Sequence, residues 1–127
     1  MSYWDDVVQV EEMLGQTFTV VKQPSPDEIH FENAAVRYVL YHAQDCCEVV
    51  EIEEIIGDLT DLEGWPLLIA REDSNRDDEP RDDDAESYTW TFYNFATYKG
   101  YVTIRFYGTS NGYYSEEVSC RKEILNN

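Results

Sequence analysis

The sequence predicts an α+β fold: a single domain, mainly an antiparallel sheet in a meander, with an N-terminal helix. Three observations predict it. The length of 127 residues suits one domain spanning 1–127. The first fifteen residues carry helical spacing, and the last forty carry alternating apolar segments cut by turn signals.

The helix is read from Tyr3, Val7, Val10 and Leu14, spaced four, three and four apart and so placed on one face. Ser2 is its N-cap, with Asp5 three residues on, and Gly15 its stop. Thr17–Val21 is β-branched and aromatic, hence a strand, and Pro24 and Pro26 then turn the chain. Glu28–Glu32 alternates with Ile29 and Phe31 inward, and Ala35–His42 is its partner, with Val36, Tyr38 and Leu40 on one side. Cys47–Glu54 is a further strand, Gly57–Glu63 a turn or single helical turn, and Trp65–Arg71 an apolar strand.

Residues 72–86 hold nine acids, two arginines and no large apolar side chain, which predicts a mobile acidic surface loop. Tyr88–Tyr98, Tyr101–Tyr107 and Tyr113–Cys120 read as three consecutive strands, with Lys99-Gly100 and Ser110-Asn111-Gly112 as their turns. In the middle strand Val102, Ile104 and Phe106 are expected to face the core, while Tyr101, Thr103, Arg105 and Tyr107 are expected to face outward or into a groove.

Charge is the most unusual property: 27 acids against 9 bases, a net of −18. Residues 1–64 hold 15 acids and 2 bases, whereas the aromatic stretch from 87 onward is nearly neutral. Such a surface repels phosphates, so direct nucleic-acid or anionic-membrane binding is not expected. Aromatic content of 14%, with ten tyrosines, argues against a disordered acidic tail. No run approaches the roughly 18 apolar residues of a membrane span, and the N-terminus lacks a signal-peptide pattern. The cysteines, Cys46, Cys47 and Cys120, are odd in number without framework spacing and are expected reduced. Together these features predict a cytoplasmic protein.

Three constellations bear on chemistry. His42, Asp45, Cys46 and Cys47 are metal-ligand residue types, yet adjacent cysteines fit a tetrahedral site poorly. Small buried thiols at a strand entry are the plainer expectation. The run Asp45–Glu63 has eight carboxylates and no base, but lacks the register of a calcium loop, so a solvated charged face is expected. The third is the aromatic sheet, with Tyr88, Trp90 and Phe92 on one face of their strand and Tyr93 and Phe95 on the other. Tyrosine and tryptophan are enriched in interface hot spots. No Walker loop, nucleophile elbow, Rossmann glycine pattern or His-Glu-x-x-His is present. Neither an enzyme nor a cofactor is therefore expected.

The segments His42-x-x-Asp45-Cys46-Cys47-Glu48, Gly57-Asp58-Leu59-x-Asp61-Leu62, Glu86-Ser87-Tyr88-Thr89-Trp90-Thr91-Phe92-Tyr93 and Gly100-Tyr101-Val102-Thr103-Ile104-Arg105-Phe106-Tyr107-Gly108-x-Ser110-Asn111-Gly112-Tyr113-Tyr114-Ser115 resemble a family of small uncharacterised proteins of bacteriophages and bacteria. The resemblance covers roughly residues 36–118. It implies a phage or mobile-element setting, where small acidic proteins often inhibit host defence systems such as CRISPR–Cas, and it transfers no catalytic residue.

The leading functional expectation is an anti-defence inhibitor that binds a basic nucleic-acid-binding surface of a host protein, such as a nuclease effector complex. Eighteen charges match those on about 30 Å of duplex DNA, so the count permits nucleic-acid mimicry. The expected binding residues are Glu51, Glu53, Glu54, Asp58, Asp61 and Glu63, with Tyr107 and Tyr113, and the acids of Asp77–Asp84 in support. One alternative is a regulatory or structural interaction module using the aromatic sheet. A second is a metal- or thiol-dependent protein centred on His42, Asp45, Cys46 and Cys47.

Overall fold

The computed structural model describes residues 6–75 and 86–125. In chain order these form β1 (Asp6–Val8), a 3-10 turn (Val10–Met13), β2 (Val20–Ser25), β3 (Glu28–Glu32), β4 (Val36–Tyr41) and β5 (Val49–Ile56). A second 3-10 turn (Leu59–Leu62), β6 (Ile69–Asn75), β7 (Ser87–Thr97), β8 (Gly100–Ser110) and β9 (Ser119–Ile124) follow. The strands make two antiparallel sheets, ordered β1-β9-β4-β3-β2 and β5-β8-β7-β6. No helix among the described residues is long and apolar enough to cross a membrane.

One core joins the sheets. Phe31 and Tyr38 of the first meet Tyr93, Phe95, Ile104 and Phe106 of the second, and the Phe31 and Phe95 rings lie 4.7 Å apart. Strand alternation explains the selection: Ile29 and Phe31, Tyr93 and Phe95, and Val102, Ile104 and Phe106 are all buried, as their period-two pattern predicts.

The α+β reading is overturned: the described chain is β throughout, with no N-terminal helix. Of the residues assigned to a helical face, Val7 and Leu14 are exposed and Val10 is buried, and the second buried residue is Met13, which that face did not include. That three-residue spacing fits a 3-10 turn, which has three residues per turn. Ahead of it, Asp6–Val8 pairs with Lys122–Cys120 of β9. The proposed cap Ser2 and Tyr3 lie outside the described residues.

The three-strand meander is also corrected. β7 and β8 form the expected hairpin, but β9 begins at Ser119, not Tyr113, and lies in the other sheet between β1 and β4. Local hydrogen bonds account for the misleading Asn-Gly signal. The Asn111 side chain accepts from the Tyr113 N–H at 2.9 Å and the Ser110 hydroxyl from the Gly112 N–H at 3.0 Å. These bonds stabilise a bend, and the segment 111–118 crosses between the sheets.

Smaller boundaries move as well. β2 runs through Pro24, which an edge strand with a bulge tolerates. Trp65–Leu68 precede β6 and are not part of it. Residues 72–75, expected in the acidic loop, complete β6 opposite Tyr93–Trp90, while 76–85 lie outside the described residues.

The sharp turn after β5 depends on Gly57, whose φ is +108° and where a Cβ would meet the Tyr101 carbonyl oxygen at 2.6 Å. Gly64 also has positive φ, +83°, but open space around it. Urea unfolding should show Gly64→Ala costing about 1 kcal/mol and Gly57→Ala distinctly more. Equal losses would remove the close approach from this account.

Candidate functional site

The six carboxylates expected to bind a partner sit on β5 and the turn that follows it. Glu51 lies across from Tyr107, and Glu54 across from Arg105, with which it bonds at 2.6 Å. A bulge between Ile52 and Glu54 carries the exposed Glu53. Asp58 caps the second 3-10 turn, accepting from the Thr60 N–H at 3.0 Å and its hydroxyl at 2.7 Å, and these bonds lower its carboxyl from the ordinary range. Glu63 accepts from the Val21 N–H at 3.0 Å. Glu54, Asp58 and Glu63 are therefore connectors as much as surface charges.

Asp61 is the most informative of the six. Its carboxylate packs against Gly100, so close that a Cβ there would meet it at 2.7 Å, and its carbonyl accepts from the Thr97 hydroxyl. This sets the acidic turn beside the β7–β8 hairpin, whose Tyr98 and Tyr101 are exposed. Trp65, two residues after Glu63, stands edge-on to Tyr98 with centroids 5.8 Å apart. Trp65, Leu68, Tyr98 and Tyr101 thus form an exposed apolar end with carboxylates beside it. Sequence reasoning missed it by reading Trp65–Arg71 as one apolar strand.

Of the two tyrosines expected at an interface, Tyr107 is corrected: it is 1% exposed, held 4.5 Å from Trp90 and stacked on Tyr88. The Arg105 guanidinium lies 4.6 Å over Trp90, a cation–π contact. Tyr113 is exposed and edge-on to Tyr114, past the far end of β8. Eleven residues of strand, roughly 36 Å at 3.3 Å per residue, separate it from the Tyr98 end. The acids of Asp77–Asp84 lie outside the described residues.

The His42–Glu48 segment is a latch. His42 Nε2 lies 2.6 Å from the Glu48 carboxylate and Nδ1 lies 2.7 Å from the Glu117 carbonyl oxygen. Glu48 also accepts from the N–H groups of Asp45 at 2.7 Å and Cys46 at 2.9 Å. Burial opposes its charge, but the Cys46 N–H, the His42 ring and the Asp45 N–H outweigh burial and hold the carboxyl at about 2. Asp45, Cys46 and Cys47 are exposed rather than buried, and the two sulfurs are bonded to each other, not reduced. No group of three or more metal-ligating side chains suited to an ion occurs among the described residues. Cys120 is the buried thiol, pushed up to about 12 by burial.

A cleft of about 350 Å³ opens between the sheets at the Ser87 end of β7. Its walls are Ser87, Thr89 and Thr91 of β7, Glu72 of β6, and Tyr114–Val118 of the crossing segment. Along β7 the inner row changes from Phe95 and Tyr93 to Thr91, Thr89 and Ser87, so the core gives way to hydroxyls. Glu116, only 6% exposed, accepts from the Thr89 hydroxyl at 2.8 Å and the Ser110 hydroxyl at 2.6 Å. Its Cβ occupies the space a side chain at Gly108 would need. Burial raises the Glu72 carboxyl against the lowering bond from Tyr93, and the charges of Glu11, Glu117 and Asp73 raise it further. Among the described residues, no Lys, Arg or His lines the cleft. The visible sequence signal was Ser87-x-Thr89-x-Thr91-x-Tyr93-x-Phe95, a period-two row whose polar half faces inward.

The latch has a pH signature. Because Glu48 is depressed from 4.5 to about 2, the stability it confers is present above pH 4.5 and lost as pH falls toward 2. Urea midpoints across that window should fall less steeply for Glu48→Gln than for the parent chain. Parallel slopes would show that Glu48 does not carry this dependence.

No curated protein and no solved structure matches the chain. One family does, over residues 11–120, a wider span than the motifs alone had indicated. The chain belongs to that family, described as a domain of unknown function (DUF7448).

Proposed function

We propose that the protein is a non-enzymatic inhibitor that docks on a basic protein surface through its Trp65–Tyr98–Tyr101 end. The observation that carries this reading is the contact of Asp61 with Gly100, which sets the acidic turn against exposed aromatics. Large aromatic anchors supply buried area on docking, and a rim of carboxylates supplies charge selection and fast encounter. A second copy of the chain is the wrong occupant, because two surfaces of net −18 repel one another. A basic partner relieves that charge.

The internal bonds of Glu54, Asp58 and Glu63 favour a docking rim over a phosphate-spaced row. The setting we propose is a phage or mobile element acting in the cytoplasm of a bacterial host. The partner is then a defence protein with a nucleic-acid-binding channel, such as a CRISPR–Cas nuclease effector complex. The motif resemblance in the sequence supports that setting, and the charge supports that class of partner.

Tagged protein captured on host lysate and washed at low and high salt tests the reading. A nucleic-acid-binding partner should be retained at low salt and released at high salt. Trp65→Ala and Tyr98→Ala should each weaken capture about tenfold or more, and Glu53→Lys should weaken it mainly at low salt. Retention by the Trp65 and Tyr98 variants equal to the parent, or self-association in place of a partner, would overturn the proposed surface.

A further inference from the structure

The cleft at the Ser87 end of β7 is separate from the docking end and is not needed by it. We infer that this cleft is a binding site for an organic cation, a primary ammonium or guanidinium group. Carboxylates alone would not carry this inference, since an acid-rich chain has them everywhere. The additional observation is Thr91. It is 2% exposed and lines the cleft, yet its hydroxyl joins no hydrogen bond among the described residues. No enclosed side-chain oxygen among those residues is left without a partner, so this hydroxyl opens onto the cleft. It is a polar group ready for a ligand atom.

Glu116 supplies the sign of the ligand. A buried carboxylate normally has a cation or several N–H donors against it. Among the described residues, Glu116 has two neutral hydroxyls against it, one on each oxygen. Glu72 and Glu117 stand in the same wall, with no base among the described lining residues. Burial and like charge raise the Glu72 carboxyl, a strain that a bound cation would relieve.

The geometry selects the kind of cation. A hard metal ion needs several carboxylates converging within coordination distance, and no such group occurs among the described residues. An ammonium or guanidinium spreads its donors over dispersed oxygens instead. Thr89 spends its proton on Glu116, leaving lone pairs to accept, and Thr91 and Ser115 add further oxygens. Val118 and the Tyr114 ring offer apolar surface for an alkyl stem and a face for the cation. A volume of about 350 Å³ suits such a group. It can arrive on a free amine or on a lysine or arginine side chain.

Titration of the full chain, followed residue by residue through its amide NMR signals, tests this with four probes: n-butylammonium, N-methylguanidinium, Nα-acetyl-lysine amide and magnesium chloride. Saturable shifts confined to Ser87–Thr91 and Tyr114–Val118 are expected with at least one organic cation. Saturation by n-butylammonium or N-methylguanidinium alone identifies a free-cation site, and saturation by the lysine derivative a side-chain site. Glu116→Gln should abolish the response. In case that variant fails to fold, Thr91→Val keeps the shape and should weaken binding about tenfold. Shifts scattered over the acidic surface, saturation by magnesium in place of the organic cations, no saturation by any probe, or an unchanged affinity in Thr91→Val would each overturn the inference.

Discussion

The packing of the two inner sheet faces is the interaction on which the other features rest. Phe18 stands edge-on to Phe31 and Tyr38, and Phe31 bridges to Phe95 on the opposite sheet. Eighteen uncompensated negative charges oppose compaction, so the aromatic core must outweigh that repulsion. Sites then form where the core ends. At one end of β7 the inner row turns to hydroxyls and the sheets part into the cleft. At the other, Trp65 and Tyr98 lie beyond the covered layer and stay exposed.

A shortage of bases shapes the polar structure. With nine lysines and arginines for 27 acids, most carboxylates must find neutral donors. Glu48 and Glu63 take backbone N–H groups, Asp58 caps a turn, Glu116 takes hydroxyls, and Glu12 accepts from the Tyr38 hydroxyl at 2.9 Å. The cations are shared where they occur, as Arg37 bridges Glu32 at 2.9 Å and Glu123 at 2.8 Å. The acidity is therefore built into the fold, beyond any contribution to solubility.

Short-range patterns were legible and long-range ones were not. Ile29 and Phe31, and Val102, Ile104 and Phe106, gave their burial by alternation alone, and the helical turn within Gly57–Glu63 was visible in its own residues, though its Asp58 cap was not named. The helix failed because four apolar residues at helical spacing cannot report that β9 lies ready to pair with Asp6–Val8. The meander failed because Asn111-Gly112 specifies a bend and not the destination of the strand after it. Tyr107 was misplaced because burial on a sheet's outer face depends on Trp90, Tyr88 and Arg105, which alternation does not weigh. The cleft escaped notice because Thr89, Ser110 and Glu116 meet only after the chain crosses between sheets.

The strand order carries a consequence for biosynthesis. β9 is the last described strand in sequence, yet it lies inside its sheet, paired with β4 on one side and β1 on the other. Until Ser119–Ile124 leaves the ribosome, β1 has no neighbour and β4 presents an open edge. The nascent chain thus emerges with its first strand waiting for its last, and the five-stranded sheet closes only after translation has passed β9.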